Sequence, residues 1–69
     1  MKLIEILRII SWNDEIIVIR DDNEIYEGKN NVSPDGGAKY CVLMNCYDDH
    51  RVKIITFSDS RKAILIYID

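Results

Sequence analysis

The chain has 69 residues, with 12 Asp and Glu against 9 Lys and Arg and a net charge of −3 when its one His is neutral. That length allows one domain, residues 1–69, and the acidic balance argues against general nucleic-acid binding, which needs a basic excess to neutralise phosphates. Apolar residues make up 48 % of the chain and 13 of them are Ile, so the sequence is one that folds rather than a disordered tail.

Residues 2–10 place Leu3, Ile6, Leu7 and Ile10 at i, i+3, i+4 and i+7, one apolar stripe of a short amphipathic helix with Lys2, Glu5 and Arg8 turned away. Nine residues do not hold a helix alone in water, so it has to dock on something. From Asp14 onward the pattern changes to β-branched runs divided by turn residues. Strands are expected over 15–20, 24–27, 39–47, 52–57 and 62–68. The Asx-rich 21–23, the segment 48–51 and the segment 58–61 read as turns. The one long loop, 28–38, contains Ser33-Pro34-Asp35-Gly36, which fits a type I turn.

The expected architecture is α+β: an N-terminal helix followed by a five-stranded antiparallel meander curled toward a small SH3-like barrel. Its strands are apolar on both faces, for example Ile17 and Ile19 against Ile16 and Val18, and Leu65 and Tyr67 against Ile64, Ile66 and Ile68. One short helix does not cover a second apolar face, so a homo-oligomer is expected, joined through the C-terminal strand as the free edge. Cys41 and Cys46 fall on opposite faces of the expected third strand and about 16 Å apart, too far for a disulfide. They read as reduced, structural thiols in a reducing compartment. No apolar run approaches the ~18 residues of a membrane span, so the protein is expected to be soluble and cytoplasmic, without membrane contact.

No catalytic constellation stands out. His50 lies in a turn beside Asp48 and Asp49, neighbours in a tight turn seldom converge on one metal, and the serines lack a base other than His50. No enzyme, cofactor or metal is therefore expected. In a meander the 21–23 and 48–51 turns share one end, which gathers Asp21, Asp22, Glu24, Asp48 and Asp49 into an acidic pole. Such a pole suits a basic surface on a partner protein, with Trp12 as a further contact residue. The opposite end gathers Lys29, Gly36, Gly37, Lys39, Arg61 and Lys62, a set that offers cations and backbone N–H groups to a phosphorylated or nucleotide ligand.

The opening Met-Lys-Leu-Ile-Glu-Ile-Leu and the later Glu24-Ile25-Tyr26-Glu27-Gly28, with a hydrophobic C-terminal strand, resemble a group of short proteins encoded by phages and prophages of Gram-positive bacteria. The likeness covers residues 1–28, and the chain departs from the group where Ser33-Pro34-Asp35-Gly36-Gly37 replaces an expected short helix. It implies a non-enzymatic protein that inhibits a host defence component by binding a host protein, or alternatively an oligomeric sponge for a nucleotide signal. A housekeeping structural module is the third reading.

Overall fold

A computed structural model describes residues 1–11, 13–31 and 47–69. Among the described residues the elements are the helix α1 (Leu3–Ile9) and the strands β1 (Glu15–Arg20), β2 (Asn23–Lys29), β3 (Val52–Ser58) and β4 (Ala63–Ile68). Two hairpins make up the sheet. Asp21 and Asp22 join β1 to β2 as a two-residue loop, and both have positive φ (51° and 64°), the type I′ geometry whose twist matches that of the flanking strands. Aspartate reaches this region at modest cost because its short side chain bonds locally. A bulge opposite Val18 and Ile19 leaves Ile25 as the extra residue, so Ile25 and Tyr26 both pack toward the helix. The second hairpin closes through residues 59–62, with Lys62 at φ 53° and the Ser58 hydroxyl accepting from the Arg61 N–H at 3.2 Å.

The strand order is β2-β1-β4-β3, with β1 and β4 parallel and both outer pairs antiparallel. This corrects the expected five-stranded antiparallel meander: among the described residues the sheet is mixed, has four strands and does not close into a barrel. Of the expected third strand, residues 39–46 lie outside the described residues, as do Cys41 and Cys46, and its last residue, Tyr47, is helical rather than extended. The chain leaves β2 at one edge and enters β3 at the other, so β4 returns to the middle of the sheet beside β1. The expectation that β4 is a free edge is thereby also overturned; among the described residues the edges are β2 and β3. The physical reason was visible in composition. Glu-Ile-Ile-Val-Ile-Arg and Ala-Ile-Leu-Ile-Tyr-Ile are apolar on both faces because they are the central, parallel pair, and such strands read as continuous apolar runs.

The helix docks on one face of that pair. Leu3, Ile6 and Leu7 are buried against Ile16, Val18, Ile66 and Ile68, as the stripe requires, while Ile9 faces outward. Both helix ends are tied by chain remote in sequence. At the N-terminus the Leu3 and Ile4 N–H groups donate to the carbonyls of His50 (2.8 Å) and Asp48 (3.0 Å), and the Glu5 carboxylate accepts from the Lys2 N–H at 2.7 Å. At the C-terminus the buried Asn30 amide donates to the carbonyls of Leu7 (2.7 Å), Ile10 (3.0 Å) and Ser11 (3.3 Å), supplying donors that a helix end lacks. The Asn30 N–H itself donates to the Asp14 carbonyl at 2.8 Å. Three carbonyls around one nitrogen set which way this amide points, with Oδ1 left buried and without a hydrogen-bond partner.

Asn30→Leu strands those carbonyls and is expected to lower stability by about 1–3 kcal/mol in denaturant unfolding. Asn30→Asp places a carboxylate among carbonyl oxygens at the negative end of the helix dipole. Its neutral form can still donate, so its deficit relative to wild type is expected to be smaller near pH 4 than at pH 7; an equal deficit at both would remove Asn30 from its place as the helix tie.

Candidate interaction surface

The helix has seven residues, about 10 Å of length at ~1.5 Å per residue, whereas a sheet of four strands is about 14 Å wide at ~4.8 Å per strand spacing. Its N-terminus is tied beside the start of β3 and its C-terminus beyond the end of β2, so it runs diagonally across the face. The corner formed by the end of β3 is left out. Phe57 pairs with Ile64 and Ile55 with Ile66, which places both on the helix face; they are nonetheless 56 % and 45 % exposed. Ile54 pairs with Tyr67 on the other face and is 59 % exposed. β3 ends the strand order, so among the described residues its outer side has no neighbour. This is an apolar edge strand, which proteins normally shorten, charge or cover.

The apolar surface that the sequence placed on the second sheet face is located differently. Ile17 is 1 % exposed, and it forms a buried cluster there with Ile19 and Ala63. Arg61 reaches over this face from the β3–β4 turn. Its guanidinium forms a two-point pair with Glu24 (2.7 and 3.1 Å) and a further bond to Glu27 (2.8 Å), and Glu27 shares a face with Ile17. Since β1 lies between β4 and β2, the side chain crosses β1. The side-chain hydrogen bond from Arg61 holds the Glu24 carboxyl below its ordinary value of 4.5; loss of solvent opposes it, and the Arg61 charge adds a lesser pull in the same direction as the hydrogen bond.

The sequence-predicted acidic pole is only partly assembled as expected. The register sets Arg20 opposite Ile68 and Ile68 opposite Val52, so Asp21, Asp22, Asp48 and Asp49 do lie at one end of the sheet. Glu24 is drawn to Arg61 instead, and Trp12 lies outside the described residues. Cations stand among these aspartates: Lys2 lies 3.5 Å from Asp49 and Arg20 lies 3.8 Å from Asp21. Asp69, absent from the sequence reading, is a hub there. Its main-chain oxygen accepts from Arg20 Nε (3.0 Å) and from His50 Nδ1 (2.8 Å), and its carboxylate pairs with Arg51 at 3.1 Å. Tyr47 stacks edge-on to His50 with ring centres 5.0 Å apart and lies 5.7 Å from the Arg20 guanidinium carbon. No local signal in the sequence marked Asp69, because its neighbours arrive only through strand pairing, Arg20 by way of β1–β4 and His50 and Arg51 by way of β3–β4.

Of the cationic set expected to hold a phosphorylated ligand, Lys29 and Lys62 stand exposed at the opposite end, and Arg61 is engaged by two carboxylates. Gly36, Gly37 and Lys39 lie outside the described residues. Among the described residues no cavity is enclosed, no group of three or more His, Cys, Asp or Glu is placed to hold a metal, and no helix is long and apolar enough to cross a membrane. No family model, curated protein or solved structure matches the chain.

Because the folded state favours the Glu24 carboxylate, its contribution to stability is complete above the ordinary value of 4.5 and is lost as pH falls below it. Glu24→Gln is expected to flatten the acid limb of the stability–pH curve measured by denaturant unfolding, and an unchanged acid limb would show that the pair with Arg61 does not form in solution.

Proposed function

We propose that this chain is a small non-enzymatic binding protein that acts by direct contact with another protein, using the β3 edge as its contact surface. The observation that supports this reading is the exposure of Ile54, Ile55 and Phe57 along a strand whose outer side has no neighbour among the described residues, next to a central pair that is largely buried. The aspartates at the end where β3 begins add a field that favours a basic partner surface during encounter. In the phage–host setting that the N-terminal resemblance implies, the partner is a component of host defence, blocked in the bacterial cytoplasm. The engagement of Arg61 by Glu24 and Glu27 weighs against the sponge alternative, which needs that cation for its ligand.

The test is expression of the chain in bacteria carrying single defence systems, with phage plating as readout. Plating is expected to recover against one system, and Phe57→Lys is expected to abolish the recovery while leaving the circular dichroism spectrum unchanged. Recovery that persists in Phe57→Lys but is lost in an Asp21→Lys/Asp22→Lys variant would move the contact to the aspartate end. A melting-temperature rise with cyclic nucleotides or ADP-ribose, with no recovery of plating, would overturn the reading in favour of ligand sequestration.

A further inference from the structure

The two edges of the sheet are not equivalent. β2 carries Glu24, Glu27 and Lys29 and a bulge at Ile25, the features by which edges are kept from pairing. β3 carries Ile54, Ile55, Thr56 and Phe57 in succession, all exposed. A second copy can meet this edge antiparallel only through a two-fold axis perpendicular to the sheet, because that operation keeps helix face with helix face. The axis then passes through a residue paired with itself.

With the axis at Thr56 the strand is complementary to itself. Thr56 meets the partner's Thr56, Ile55 meets the partner's Phe57, and Lys53 meets the partner's Asp59. Thr with Thr, aromatic with β-branched and opposite charges are the cross-strand pairs that stabilise antiparallel neighbours. Moving the axis to Ile55 sets Lys53 against the partner's Phe57, and moving it to Phe57 sets Ile55 against the partner's Asp59. Neither sets Lys53 against an opposite charge. The Thr56 axis also covers Phe57 at the corner that α1 does not reach, since Phe57 and Ile55 share the helix face. Lys53 stands at the bulge near the start of β3, and its long side chain supplies the reach to the end of the partner's strand.

We propose that two copies of this chain pair β3 to β3 about Thr56, joining two four-stranded sheets into one continuous sheet. The inference rests on the reading of β3 as a contact surface: a second copy holds this edge in the free protein, and the host protein takes its place on binding. The aspartate ends then point in opposite directions and remain open.

Sedimentation equilibrium on the full chain is expected to return twice the 8.1 kDa chain mass. Thr56→Lys sets two like charges face to face and is expected to raise the dimer dissociation constant about tenfold, while Thr56→Val leaves it nearly unchanged. Lys53→Asp and Asp59→Lys are each expected to weaken the dimer, and the double variant to restore it; that restoration is specific to the Thr56 register. A single-chain mass at millimolar concentration, or a dimer indifferent to Thr56→Lys, overturns the inference. A monomer in which Phe57→Lys still abolishes phage plating would overturn it while leaving the reading of β3 as a contact surface intact. A β3 dimer without any plating effect would do the reverse.

Discussion

The parallel pairing of β1 with β4 is the interaction on which the rest of this structure depends. Ile16 to Ile19 meet Ile64 to Tyr67 in register, and the helix-facing members, Ile16, Val18 and Ile66, are wholly buried. Burying a side chain of this size contributes about 1.5–3 kcal/mol, so a handful of them supplies much of the driving force open to so short a chain. Each central strand also carries an antiparallel partner by way of its own tight hairpin. Two hairpins, each local in sequence, are therefore joined by one non-local contact. The pairing also brings Arg20 beside the end of β4, where the β3–β4 hairpin already places Arg51, which is why Asp69 becomes a meeting point for groups far apart in sequence.

The helix is the second constraint, and its shortness shapes the surface. Seven residues cannot sustain a helix by propensity alone, so its order comes from the leucine and isoleucine side chains it buries and from the ties at its ends. Those ties also fix its diagonal course: one end is held by the segment before β3, the other by Asn30 after β2. A diagonal element shorter than the sheet is wide leaves one corner bare. Phe57 occupies that corner, and the exposed character of β3 follows from the geometry of the helix as much as from the composition of the strand. Function, on the reading proposed above, is placed where the chain runs out of cover.

Local chemistry was legible and long-range connection was not. The helix stripe at Leu3, Ile6 and Leu7, the run Glu15–Arg20, the Asp21-Asp22 turn and the hydrophobic run that ends the chain all took the local conformation their residues favour. Each of these is decided within a few residues, by periodicity or by the tolerance of aspartate for positive φ. The error lay in pairing each strand with its neighbour in sequence. The same apolarity on both faces of β1 and β4 that suggested an uncovered surface is the mark of a central strand buried from above and below, and charge in β2 is the mark of an edge. Asn30 was passed over as a loop residue, because a side chain that caps a helix 20 residues upstream leaves no periodic trace. At the candidate surface, the exposed residues of β3 were assigned to a strand but not to an edge, since edge position is a property of topology.

Native-state hydrogen exchange resolved along β4 tests the parallel pairing most directly. A strand bonded on both sides protects its amides consecutively, whereas an edge strand protects only alternate ones. Slow exchange at every residue from Ile64 to Ile68 is the result this account requires. Protection that alternates along β4, with fast exchange at every second amide, would return that strand to the edge and dissolve the arrangement of hairpins, helix and exposed β3 that follows from it.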